Sequence, residues 1–250
     1  MEQYQQAIAW WQTQTISTGA DLDRVLDSFR VLFAYHSGRI ENEEITYHDT
    51  RDIFENGRVS SFSGNPRALF EQQNQKLCYE FLKDKIAARE PLDVGLVKEV
   101  HRVLTGGTYD GRRFVENGER PGEFKKHDYV AGLHEVGSNA EEVDRDVSAL
   151  LDELDGFGGQ GDTLKAGAYF HARFEYIHPF ADGNGRVGRT LLNYFLMIHG
   201  HPPLIIYDED RHVYYDSLQR YDETEELDAL HTFLTRQAAK TWEKTLARAK

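Results

Sequence analysis

Between residues 178 and 189 the chain reads His178-Pro179-Phe180-Ala181-Asp182-Gly183-Asn184-Gly185-Arg186-Val187-Gly188-Arg189. A histidine, a carboxylate, a Gly-Asn-Gly turn and two arginines are the parts needed to hold a polyphosphate beside a general base. Arg186 and Arg189 stand three apart, so they project from one side of a helix, with Asn193 below them. Turn amides and a helix start form an anion site, which two guanidinium forks lengthen by several ångströms. One phosphate has no use for that length; a di- or triphosphate does. Asp182, just before the turn, is suited to hold a divalent cation bridging phosphate oxygens. His178, with an ordinary pKa of about 6.5, is suited to take a proton from an attacking hydroxyl near neutral pH. Each feature alone also has a bland reading, as a helix end, a turn or a solvated arginine pair. Their combination at this spacing is what argues for chemistry.

The elements that must position these groups are readable. Leu164, Gly167, Ala168, His171 and Phe174 fall on one face, which predicts a helix over about 164–177. Pro179 disfavours the α conformation for the preceding residue and pushes His178 off that helix. Gly183 and Gly185 permit a tight turn whose backbone approaches a ligand closely. A second helix is predicted over about 186–199, where Val187, Leu191, Leu192, Phe195, Leu196 and Ile198 cover most of the circumference. It should therefore be central and buried, ending at Gly200 with Pro202 beyond.

The twelve-residue stretch resembles the Fic family signature, His-x-Phe-x-Asp/Glu-Gly-Asn-Gly-Arg-x-x-Arg, and matches every specified position. The resemblance covers most of residues 90–240. It implies an all-α fold with a short β-hairpin flap and an N-terminal helical extension. It divides the chain into a helical region over 1–90 and a Fic core with closing helices over 91–250. The implied activity is AMPylation, in which AMP passes from ATP to a protein Ser, Thr or Tyr hydroxyl and pyrophosphate leaves. By motif matching His178 is the base and Phe180 packs the loop into the core. Asp182 binds Mg²⁺ or Mn²⁺, Gly183, Asn184 and Gly185 cradle phosphates, and Arg186 and Arg189 clamp the β- and γ-phosphates. An aromatic after the motif lies by the adenine in relatives, which selects Tyr215.

Upstream, Ser37-Gly38-Arg39-Ile40-Glu41-Asn42 taken alone reads as a Gly-containing turn followed by an acidic helix start. The resemblance gives it another meaning, because many Fic proteins carry an inhibitory Ser/Thr-x-x-x-Glu-Gly/Asn motif. Glu41 would then pair with Arg189 and Ser37 would brace the helix. A charge-assisted contact of roughly 1.5–3 kcal/mol would suppress productive ATP binding by about one to two decades. A variant of this reading is removal of AMP, with Glu41 positioning the water. A nucleotide-sensing module without catalysis is the reading from another class, but a pure binder has no need of His178 or Asp182. The resemblance also implies a homodimer, and a target protein that includes the chain itself among the candidates.

Composition bounds the partners. The formal charge is 29 − 42 = −13, spread along the chain, which argues against nucleic acid or an anionic membrane. A single cysteine, Cys78, excludes an internal disulfide framework, and its apolar neighbours mark a packed thiol. With no signal-peptide pattern and no long apolar run, the expected location is cytoplasmic.

Elsewhere, residues 1–20 suggest a short helix, and Leu22, Val25, Leu26, Phe29, Leu32 and Phe33 an amphipathic one from Asp21 onward. Helices ending near Gly57, running through Leu69 to Leu82, and breaking at Thr105-Gly106-Gly107 should follow, with a polar loop over 60–66. Residues 117–132 resemble the Fic flap, whose backbone would register a target segment by β-augmentation. Arg112, Arg113, Lys125 and Lys126 form a basic cluster there, either steering an acidic target or simply solvated. Helices over 141–154, from Arg211, and over about 226–247 complete the chain. The glycine-rich run 156–161 follows a helix and lacks Lys-Ser/Thr, so it is not a P-loop.

Overall fold

The computed structural model describes residues 2–59, 62–129, 137–155 and 162–249. Among them the secondary structure is entirely helical. The α-helices are α1 (Glu2–Gln12), α2 (Gly19–Val25), α3 (Asp27–Glu41), α4 (Tyr47–Asn56), α5 (Pro66–Ala87), α6 (Val94–Leu104), α7 (Val143–Asp155), α8 (Thr163–Ile177), α9 (Asn184–Ile198), α10 (Arg211–Thr224) and α11 (Asp228–Ala249). None of the described helices is long and apolar enough to cross a membrane.

The centre is the α8–α9 hairpin. All of α9 but Gly185 is buried, as expected of a helix apolar around its circumference. Gly167 on α8 makes the close approach, since a Cβ there would stand 3.0 Å from Leu192 Cδ1. Helices α5, α6 and α3 pack on one side of this pair, and α7, α10 and α11 on the other. The N-terminal helix belongs to the same core: Trp10 and Trp11 lie against Trp242, and the Tyr4 hydroxyl is 2.9 Å from His201 Nε2. Cys78 is fully buried, and burial pushes its thiol pKa far up.

Four expectations need correcting or placing. The amphipathic run from Asp21 forms two helices that meet at Leu26. Thr18 and Asp21 start α2 with a reciprocal capping box, and Leu26 both ends α2 and opens α3. Ser37–Glu41 is not a turn before a helix start; it is the last turn of α3, closed by the Asn42 N–H on Gly38 O at 2.8 Å. Gly38 is tolerated inside the helix because α5 comes so close that a Cβ would overlap the Gln72 side-chain amide. In α5 the helix is as expected but its buried face is polar. Phe70 and Leu77 are exposed, whereas Glu71, Gln72, Asn74 and Gln75 point inward with Cys78 and Leu82.

The expected hairpin flap is not seen: residues 117–129 form turns and bends with no strand. Their polar groups find partners elsewhere. The buried Glu119 carboxylate accepts from Lys126 N and from the Tyr129 hydroxyl, each at 3.0 Å. Gly122 N–H donates to His101 Nδ1 at 2.8 Å and Lys125 N–H to Pro179 O at 2.9 Å. With its backbone taken by a carboxylate, an imidazole and the motif loop, this stretch does not need a partner strand. Residues 130–132 of the expected flap, Ser60 and Ser61 of the polar loop, and the glycine run 156–161 lie outside the described residues.

Candidate active site

The motif loop joins α8 to α9 by two left-handed residues. His178 ends α8 with φ 50° and ψ 60°, a conformation costly for a residue with a Cβ. Its backbone is pinned on both sides, by Lys125 N–H on Pro179 O and by Ser138 N–H on Ile177 O at 3.0 Å. Gly183 precedes α9 with φ 82°, where a Cβ would also strike Thr105 Cγ2. Phe180 is fully buried and stacks on the His101 ring at 3.7 Å between centroids.

Asn184 shapes this loop through its side chain. Phe180 N–H donates to Asn184 Oδ1 at 2.9 Å, and Asn184 Nδ2 donates to Phe180 O at 2.7 Å. The amide is thus consumed by the turn, and what remains for an anion is the backbone of the first α9 turn, whose N–H groups have no helical acceptor.

The His178 ring is half-buried, and the Glu175 carbonyl beside it favours the protonated form only weakly against that burial. Desolvation, reinforced by the Lys125 charge, pushes its pKa down to about 4. The imidazole is therefore neutral at physiological pH and free to accept a proton.

The two motif arginines are both buried, each 2% exposed, and each faces a carboxylate from outside the motif. Arg189 donates from Nη2 to Glu41 Oε1 at 2.7 Å and to Ser37 O at 3.1 Å, and from Nε to Ser37 Oγ at 3.0 Å. The Glu41 carboxylate also sits against Gly185, where a Cβ would come within 2.5 Å of Oε1. It thus lies on the anion-binding end of α9. Arg186 Nη1 is 3.2 Å from Glu71 Oε1, yet Arg186 Nε and Nη1 make no hydrogen bond among the described residues. A buried guanidinium whose Nε and Nη1 are not in hydrogen-bond geometry has donors to offer an anion.

Asp182 is mostly buried. Its Oδ2 takes Arg67 Nη2 at 2.5 Å, and its Oδ1 is 3.9 Å from Arg186 Nη2. One hard carboxylate beside an anion site suits a cation that takes its other ligands from phosphates and water, as Mg²⁺ does. Tyr215 is exposed at the rim and packs on Tyr214, near enough to Glu41 and Arg189 to feel their charges.

Sequence reasoning passed over Arg67, Glu71, His101 and Glu175. His101 accepts from Gly122 N–H at Nδ1, so Nε2 carries the proton and donates to Asp182 O at 3.1 Å. Its place on the apolar face of α6 was the available signal. Glu175, within the His178 loop's own helix, packs on Gly188. Nothing local in the sequence ties Arg67 or Glu71 to the site, because their partners there, Asp182 and Arg186, are more than a hundred residues away.

Comparison with known proteins agrees with this geometry. Residues 91–196 match the family model described as Fic/DOC family, which includes the motif but not α1–α5. The "Protein adenylyltransferase Fic" of Culex quinquefasciatus is 29% identical over 209 residues, covering 80% of this chain and 38% of that protein. The "Protein adenylyltransferase fic-1" of Caenorhabditis elegans is 29% identical over 205 residues, covering 79% and 37%. The chain therefore spans about two fifths of the length of these relatives. Among solved structures, a Fic domain containing signaling protein from Bacteroides thetaiotaomicron superposes with a TM-score of 0.83 at 22% identity, covering 98% of this chain and 95% of that one. Fic-1 of C. elegans (aa134–508) gives 0.73 at 25% identity, covering 99% and 69%. Over residues 91–196, the motif included, the chain is thus similar to the Fic/DOC family.

Proposed function

We propose that the protein is an adenylyltransferase that moves AMP from ATP to a hydroxyl of a protein and is held back by its own Glu41. The observation that carries this reading is a neutral His178 beside two buried arginines, one of which has N–H groups outside hydrogen-bond geometry. The curated relatives support it through the activity in their names.

In this reading the first-turn amides of α9 and the Arg186 and Arg189 guanidinia hold the β- and γ-phosphates. A target Ser, Thr or Tyr hydroxyl attacks the α-phosphorus while His178 takes its proton. The bond between α-phosphorus and bridging oxygen breaks, and pyrophosphate leaves with the electron pair. Asp182 would hold Mg²⁺ or Mn²⁺, whose charge offsets that developing on the phosphates. Tyr215 flanks the adenine. Glu41 denies the γ-phosphate its guanidinium, and Ser37 keeps Arg189 turned toward Glu41. The target hydroxyl includes those of the chain itself, and a homodimer would tie down α3.

The same carboxylate favours a second reading. Glu41 is partly exposed at the phosphate end of the site, where it could position a water to hydrolyse AMP from a modified protein. One experiment addresses both. Wild type, Glu41→Gly and Glu41→Gly/His178→Ala are incubated with Mg²⁺ and ATP labelled on the α-phosphate. Transfer with restraint by Glu41 predicts strong label in Glu41→Gly alone. Equal label in wild type and Glu41→Gly removes the restraint but keeps the transferase. No label in any, with or without cell extract, removes the transferase. Release of AMP from pre-labelled protein by wild type but not Glu41→Gly would establish hydrolysis.

A further inference from the structure

Helix α5 reaches the motif with two charged side chains that the proposed chemistry leaves without a role. Arg67 lies at the start of α5 and Glu71 one turn on. Glu71 is almost fully buried, and its Oε1 receives Arg67 Nε at 2.8 Å and faces Arg186 Nη1 at 3.2 Å. The far end of the Arg67 guanidinium reaches Asp182 Oδ2 at 2.5 Å. The four groups form a closed alternation, Asp182–Arg67–Glu71–Arg186, with Arg186 returning to Asp182 at 3.9 Å.

The charges of this ring balance without a metal ion. Asp182 and Glu71 supply two negative charges, Arg67 and Arg186 two positive ones. A carboxylate as enclosed as Asp182 requires compensation, and here a guanidinium provides it. Each oxygen of Asp182 faces a guanidinium, and at Oδ2, the oxygen held at hydrogen-bond distance, a cation meets Arg67 Nη2. Both positive groups cannot occupy that oxygen, because their mutual repulsion at contact distance is unscreened by water. Arg67 is about one-third exposed, the most open member of the ring, so it is the group free to swing out.

We infer that Arg67 holds the cation position on Asp182 in the nucleotide-free protein, and that a divalent ion binds there by displacing it. Glu71 keeps the guanidinium aimed at Asp182 and ready to return. Arg67 is thus a positioning residue that sets the metal concentration the site requires. The inference rests on the reading of Asp182 as the metal ligand, and on nothing else in the proposed reaction.

The test is a titration of the full chain with Mn²⁺ alone, followed by loss of the free-ion electron paramagnetic resonance signal. Arg67→Ala should bind Mn²⁺ at least about tenfold more tightly than wild type, Arg67→Lys should stay near wild type, and Arg67→Ala/Asp182→Ala should lose the gain. Thermal unfolding gives an independent readout: Mn²⁺ should raise the melting temperature of Arg67→Ala more than that of wild type, even though Arg67→Ala alone melts lower. A merely structural role for Arg67 would weaken Mn²⁺ binding. Affinity in Arg67→Ala equal to or below wild type, with Asp182→Ala still lowering it, overturns displacement while leaving Asp182 as the ligand. Mn²⁺ binding that ignores Asp182→Ala in both backgrounds overturns the ligand assignment itself. Neither outcome depends on whether AMP is transferred.

Discussion

Glu41 and Arg189 are 148 residues apart in the chain, and Glu41 Oε1 lies 2.7 Å from Arg189 Nη2. The contact is more than a single ion pair, because Ser37 engages the same guanidinium through both its hydroxyl and its carbonyl. In the proposed restraint only the Glu41 carboxylate would compete directly with a phosphate, and Ser37 would fix the fork's direction. Glu41→Gly should therefore raise ATP affinity by about 10- to 100-fold, as a charge-assisted contact of roughly 1.5–3 kcal/mol implies. Ser37→Ala should raise it by about two- to tenfold, because it loses one ordinary hydrogen bond and keeps the carbonyl. Calorimetric titration with ATP gives the ranking, and an affinity in Ser37→Ala equal to that of Glu41→Gly would remove Ser37 from the restraint.

Asn184 offers a test of the loop itself. Its amide closes two hydrogen bonds on the backbone of Phe180, itself fully buried. Removing the amide leaves a buried N–H and a buried C=O without partners, which costs about 2–4 kcal/mol. Urea unfolding of Asn184→Ala should show a loss of that size. A loss below about 1 kcal/mol would mean that water or a rearranged turn satisfies Phe180 instead.

How much of this could be read beforehand depends on where the information sits in the chain. Helices α8 and α9 were legible because Pro179, Gly183 and Gly200 punctuate them and their apolar residues repeat at helical spacing. The split at Leu26 was not, since the apolar period runs straight through it and only the Thr18–Asp21 capping box marks the separate start of α2. The inward face of α5 was misleading for a physical reason. Glu71, Gln72 and Asn74 are buried because they answer polar groups on α9, α4 and α6, and hydrophobic periodicity cannot register that. The turns over 117–129 replace an expected hairpin because Glu119 and His101 supply acceptors that a partner strand would otherwise supply. Within the site, short-range spacing revealed the motif, whereas Arg67 and Glu71 become visible only once α5 is laid beside it.

His178 should show its environment in a pH profile. Burial and the nearby Lys125 charge hold its pKa down at about 4, so the imidazole stays neutral and basic well below its ordinary range. Transfer by Glu41→Gly, measured as initial rate at low ATP, should stay level from pH 8 to about 5 and fall with a one-proton slope below that. A midpoint near about 6.5, the ordinary histidine value, would show that the ring is solvated when it acts.

Glu175 makes the opposite prediction for stability. Its carboxyl packs against Gly188 with one oxygen lacking a hydrogen bond among the described residues. Burial raises its pKa to about 7, with the Arg189 charge pulling it down and Glu41 pushing it up. The folded state therefore holds a proton that the unfolded chain releases near 4.5. Stability from this group is complete below that value and is lost as pH rises through about 7. Glu175→Gln cannot titrate and keeps nearly the same shape. Between pH 5 and 8 wild type should lose about 1–3 kcal/mol relative to Glu175→Gln, the size expected of a shift of this order. Urea denaturation of both proteins across that range measures the difference. Parallel curves would mean that the carboxylate is already ionised in the fold, held by Arg189 in company with Glu41.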